Sequence, residues 1–128
     1  MNELLDQSYD LLRQAQESLE AKDKGSAVSL LEMAVRRALT ALEKANGVRN
    51  FGMSLEHRIA HFTDDPQLIN IGRVIEDLFN PILYPVGFDQ GTEEPRVSFG
   101  QAQMALEYAR RVIDFVREKL NEKNIVDQ

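Results

Sequence analysis

The sequence predicts an all-α protein: an antiparallel four-helix up-and-down bundle with one extra short helix and a long Pro/Gly loop before the last helix. Three observations carry that prediction. Apolar residues recur at threes and fours along most of the 128 residues, the period of a helix that buries one face. Start and stop signals fall between those periodic runs, among them Gly47, Asp65-Pro66 and Ser98-Phe99-Gly100-Gln101. Three of the four prolines gather in residues 80–97, which leaves the rest of the chain nearly free of helix breakers.

The first helix is expected over residues 2–21, with Leu4, Leu5, Leu12, Ala15 and Leu19 as its apolar stripe, Tyr9 and Leu11 widening it, and Asn2 as a cap. Lys22-Asp23-Lys24-Gly25 breaks it. Ser26 is expected to cap a second helix running to Asn46, with Gly47 as a left-handed stop. At 100° per residue, Ala27, Ala34, Ala38, Ala41 and Ala45 form one narrow stripe beside a second of Val28, Leu31, Val35, Leu39 and Leu42. A row of small residues permits close helix approach, and the branched row fills the groove beside it. This helix is therefore expected at the centre of the bundle. Arg37 lies at the border of the apolar arc and Arg36 points away, so only Arg37 is expected to face a cleft between helices.

Residues 48–53 read as a connector and 54–62 as the short helix. Asp65 then caps a fourth helix with Pro66 at its first position, where a missing N–H does no harm. Leu68, Ile71, Val74, Ile75, Leu78, Phe79 and Ile82 make its buried face; Arg73, Glu76, Asp77 and Asn80 make the wet one. The proline-rich loop, at residues 80–97, exceeds the usual limit of about 12–15 residues for an unstructured connection, a length that usually carries function. The last helix opens on a Ser98…Gln101 capping box and runs to Lys123. Its apolar arc covers about half the circumference, wider than the ~100° stripe of a helix packed on one side. Its outer stripe, Met104, Tyr108 and Phe115, is the candidate homodimer interface.

Length fits a single domain over residues 1–128. No cysteine is present, which excludes disulfides, thiolate metal sites and cysteine nucleophiles. The acidic N-terminal stretch has no long apolar run, so no membrane anchor is expected and the cytoplasm is the default location. A net charge of −6 disfavours an undirected grip on nucleic acid, although local clusters can override the total. His57 and His61 stand one helical turn apart, but no His-Glu-x-x-His or Glu-x-x-His string supports them; no metal and no cofactor are expected. The serines at 8, 18, 26, 29, 54 and 98 read as helix-surface or cap residues, and no nucleophile elbow or phosphate-cradling glycine loop occurs. Glu107, Arg110, Arg111 and Asp114 are expected to pair along a solvated face. No catalytic residue emerges.

The order of elements, from Lys44-Ala45-Asn46-Gly47 through Met53-Ser54-Leu55 and Leu83-Tyr84-Pro85 to Ser98-Phe99-Gly100-Gln101-Ala102 with Ala105, Leu106 and Ala109, resembles the HEPN family. That resemblance implies a helical bundle, commonly dimeric, in a protein often encoded beside a minimal nucleotidyltransferase as a toxin–antitoxin-like pair. Tyr84-Pro85 matches the Tyr-Pro of the family's Arg-Tyr-Pro-Asp turn. Leu83 replaces the Arg and Val86 the Asp, so Asp89 is the nearest acid, and the Lys many members carry in the second helix is Thr40. Many members are ribonucleases that use an Arg, four to six residues, then a His; no arginine here has a His at that spacing.

The resemblance therefore implies a non-catalytic protein that binds a nucleotide, RNA or a partner nucleotidyltransferase at the end of the bundle where the loop packs. Its candidate ligand residues are Arg37, Arg58, His61, Tyr84, Pro85 and Asp89. Two other readings stay open: a plain helical interaction or scaffold domain with no small-molecule site, and a ribonuclease using an atypical pair such as Arg58 with His61.

Overall fold

The computed structural model describes residues 2–50, 52–83 and 97–126, with side chains described as far as residue 78 in the fourth helix and residue 123 in the last. Five helices follow in order: α1 (Glu3–Glu20), α2 (Lys24–Ala45), α3 (Leu55–Ala60), α4 (Pro66–Leu83) and α5 (Phe99–Val126). No described helix is long and apolar enough to cross a membrane. The expected bundle of four long helices and one short one is what the chain forms.

The helix ends show why the elements begin and stop where they do. Asn2 caps α1 by accepting the Leu5 N–H at 3.1 Å. Ser98 and Gln101 form the full reciprocal box, the Gln101 N–H donating to the Ser98 hydroxyl at 3.0 Å and the Ser98 N–H to the Gln101 side chain at 2.9 Å. Pro66 opens α4 behind Asp65, which accepts the Gln67 N–H at 2.9 Å. For α2 the cap is Asp23, not Ser26: the Asp23 carboxylate accepts the Ser26 N–H at 3.1 Å, so the cap lies three residues before the expected one. The Ser26 side chain first, and this backbone N–H second, hold the Asp23 carboxyl below its ordinary range.

The ends of α1 and α2 are closed by the same device with different residues. At the end of α2, Gly47 takes φ +65° while the Val48 N–H reaches back to the Glu43 carbonyl at 2.9 Å. At the end of α1 it is Lys22 that adopts φ 64°, and the Asp23 N–H returns to the Ser18 carbonyl at 2.8 Å. Both are Schellman turns, and only one has the glycine such turns favour. Lys22 gains a partial return by laying its ammonium over the Phe99 ring, 4.6 Å from the centroid.

Both stripes of α2 are buried, from Ala27 and Val28 to Ala41 and Leu42, and α2 touches each of the other four helices. It is the central element, as its small-residue row requires. The core is completed by Leu11, Leu12, Ala15 and Leu19 of α1, Leu55 and Ile59 of α3, Ile71 and Ile75 of α4, and Ala102 to Leu120 on the inner side of α5. Ser8 is a correction to its expected surface position. It is fully buried in α1, its hydroxyl donating to the Leu4 carbonyl at 3.0 Å and so bringing its own partner into the apolar face.

Among the described residues the backbone of the short α3 approaches α4 and α2 and stands away from α1 and α5. Its crossing of α4 is close. A Cβ on Gly72 would stand 2.8 Å from Ile59 Cδ1 and 3.1 Å from the Glu56 backbone N, so the absence of a side chain at residue 72 sets the approach. Across the bundle, α1 and α5 are tied by the Tyr9 hydroxyl, which donates to Asp114 at 2.6 Å. Asp114 therefore serves α1, and Arg110 reaches Gln16 of α1 at 3.3 Å, where the sequence suggested pairing along α5 alone.

Candidate functional site

A cleft of about 1090 Å³ opens where the C-terminal half of α2, the 46–54 connector, α3 and α4 meet. Three structural facts create it. Gly47 stops α2, Gly52 takes φ +76° in the connector, and Gly72 lets α3 lie close on α4. The wall therefore comes from four successive pieces of chain, and none of them shows it in its own periodicity.

At the base of the cleft is a buried ion pair. Arg58 of α3 grips Glu43 of α2 with two bonds, Nε to Oε2 at 2.9 Å and Nη2 to Oε1 at 2.7 Å. Both side chains are at most 9% exposed. The guanidinium also donates to the Thr40 hydroxyl at 3.3 Å, and Asn50 adds a donor to Glu43 at 3.3 Å. Thr40 in turn donates to the Arg36 carbonyl at 2.9 Å. Paired charges with every remaining polar atom satisfied are the condition under which a buried ion pair survives.

Above that base, Glu76 of α4 accepts the Leu55 N–H with both carboxylate oxygens at 3.3 Å and lies 3.8 Å from the Arg36 guanidinium. Glu76 thus leaves the wet face on which the α4 pattern places it. Arg36 moves the other way from expectation: it lines the cleft, held by Glu32 at 2.9 Å, whereas Arg37 turns to α1 and donates to Gln7 at 3.4 Å. The reason is that α3 and α4 pack against the flank of α2 that its helical wheel alone assigns to solvent.

Lys44 and Arg49 complete the wall. Both are exposed, and neither has an acidic partner among the described residues. Met53, 48% exposed, lines the same cleft with Val48. The lining therefore holds four cations against two carboxylates in a chain whose total charge is −6. With both carboxylates already engaged, the surplus positive charge faces whatever enters.

The residues singled out from the sequence scatter. Arg58 is in the cleft; His61 is exposed at the C-terminal cap of α3, edge-on to the Phe62 ring at 4.9 Å, and does not line it. Tyr84, Pro85, Asp89 and most of the proline-rich loop lie outside the described residues. On α5, Met104 is 37% exposed while Tyr108 and Phe115 are half-buried. Glu43, Lys44, Arg49 and Glu76 were missed as a group. The usable signal was their position around the Gly47 and Gly52 turns, which bring the end of α2 toward α3.

These elements define a class: a five-helix bundle with a charged cleft beside its central helix. The HEPN domain model matches residues 1–119, and the chain belongs to the HEPN family. Among solved structures it is similar to TT1696 from Thermus thermophilus, with 27% identity, coverage of 93% of this chain and 99% of that one, and a TM-score of 0.75. It shares the fold of ST0689, an archaeal HEPN homologue, at 18% identity, coverage of 91% and 93%, and a TM-score of 0.73. No curated protein matches.

Proposed function

We propose that the protein is a non-catalytic HEPN binding module whose cleft takes an anionic ligand: a nucleotide, RNA, or part of a partner nucleotidyltransferase in a toxin–antitoxin-like pair. The observation that supports this reading is the pair Lys44 and Arg49, cations without acidic partners among the described residues, on the wall of a cleft in an acidic protein. Thr40, the position at which the family resemblance implies a lysine, faces the same cleft, hydrogen-bonded to Arg58. Arg58 is committed to Glu43 and His61 is outside the cleft, which argues against these two acting together on RNA.

The test is a thermal-shift panel of nucleotides and short RNAs on the wild type and on Lys44→Gln/Arg49→Gln. A ligand that binds only the folded state at 100 times its Kd stabilises by about 2.7 kcal/mol. A rise in melting temperature that disappears in the double variant supports the reading; a flat panel favours the scaffold alternative. The homodimer through Met104, Tyr108 and Phe115 is proposed with it, and a monomeric mass by light scattering at micromolar concentration would remove it.

A further inference from the structure

His57 and His61 stand outside the cleft, on the exposed side of α3. We propose that they form a two-imidazole clamp for a late first-row divalent cation, Cu(II), Ni(II) or Zn(II), and that the bound ion stiffens this short helix. The turn between them is closed: the His61 N–H donates to the His57 carbonyl at 3.2 Å, and His61 keeps a right-handed helical backbone at φ −64° and ψ −27°. Residues four apart on such a turn share one face, with Cβ atoms about 5–6 Å apart. Imidazole nitrogens about 2.0–2.1 Å from a shared ion are within reach of that spacing by side-chain rotation. Nothing holds the rings back, for neither imidazole has a hydrogen bond or ion pair among the described residues, and the one ring contact is that of His61 with Phe62. The surroundings suit a cation. Glu56, Asp64 and Asp65, all exposed, flank the pair in sequence, while Arg58 between the two histidines is buried and neutralised by Glu43.

The sequence predicts no metal because no complete motif accompanies the histidines, and among the described residues no third His, Asp or Glu joins them. An ion held by two nitrogens keeps its other positions for water. Its selection then follows intrinsic affinity for imidazole, with Cu(II) above Ni(II) and Zn(II), Mn(II) weak, and Mg(II), which takes oxygen ligands, unbound. The spacing is that of the His-Glu-x-x-His zinc hydrolases, but Arg58 stands where they carry the general base, so the clamp binds without hydrolysing. The consequence falls on α3, whose six residues are too few for a helix to persist unaided. An ion bridging His57 and His61 closes the turn that contains Arg58, and so steadies the guanidinium that grips Glu43.

Isothermal titration of the full chain with Cu(II), Ni(II), Zn(II) and Mg(II) chlorides, paired with amide hydrogen exchange in α3, tests this. Expected are one ion per chain, the affinity order given above, and loss of binding in both His57→Gln and His61→Gln. Both side chains are exposed, so the metal-free variants should melt with the wild type. Ni(II) should slow exchange of the α3 amides in the wild type and leave both variants unchanged. Affinity that survives either single variant overturns the clamp, as does one ion shared between two chains. Mg(II) binding as tightly as Ni(II) would place the ion on the carboxylates and overturn it too, and so would no binding by any of the four. Binding that needs both histidines but leaves α3 exchange unaltered supports the clamp and overturns the stiffening.

Discussion

The α1–α2–α5 side of the molecule and the α3–α4 end that closes the cleft share one apolar core but differ in what is added to it. On the first side, alanines and branched residues interlock in a dry core, and the cohesive term is apolar burial. At the second, Leu55 and Ile59 of α3 join that core, and α3 is fixed further by a buried guanidinium–carboxylate pair to α2, by an α4 carboxylate that accepts a backbone N–H, and by a crossing of α4 that depends on one missing Cβ. The comparison teaches that the part of the fold carrying the candidate site adds a few specific contacts to its apolar burial, whereas the rest relies on many interchangeable ones.

The comparison breaks most sharply at Glu43 and Arg58. Removing either partner leaves the other charge buried, so Glu43→Ala or Arg58→Ala should each cost about 3–5 kcal/mol in urea denaturation. That equals a large core truncation such as Leu39→Ala, at about 2–5 kcal/mol. The double variant Glu43→Leu/Arg58→Met should recover most of the loss, because well-packed apolar groups replace buried ion pairs at little cost. A double variant no better than the singles would show that the pair is not the tie between α3 and α2.

Gly72→Ala comes next. Helix propensity alone would favour alanine by about 1 kcal/mol, but the new methyl meets the Glu56 backbone at 3.1–3.2 Å as well as Ile59 Cδ1. A net loss of about 1–3 kcal/mol is expected. Shortening the neighbour with Ile59→Val should relieve only the side-chain part, and a fully rescued double variant would place the conflict in Ile59 alone.

The smallest effect belongs to the other side of the molecule. Burial, with the hydrogen bond to Asp114 second, pushes the Tyr9 hydroxyl up to about 12 from its ordinary 10. The folded value is the higher one, so the contribution is complete below pH 10 and is lost as pH rises through 12. Tyr9→Phe should therefore melt slightly below wild type at about pH 9, and the gap should close across that window. A gap that stays constant to about pH 12 would detach the hydroxyl from the stability of the α1–α5 contact.

How much of this the sequence revealed follows from the same division. The buried stripes of α2 and α5, the Gly47 stop and the Ser98–Gln101 box were legible because periodicity and capping are local. Arg36, Glu43 and Glu76 were not, because their roles arise only when α3 and α4 cover the polar flank of α2. Lys22 hid for another reason: lysine rarely takes a left-handed backbone, so the end of α1 gave no glycine to read.

The buried Glu43–Arg58 pair also constrains how this lineage can drift. A sequence that changes one member alone passes through a state with a stranded charge and a heavily weakened α3 attachment. Exchange is therefore open only to paired changes or to a compensating neighbour such as Thr40 or Asn50, which already bond to the two. Among relatives that keep the 47–52 connector, residues 43 and 58 should covary in charge, while Lys44 and Arg49, which carry no structural debt, are free to follow the ligand.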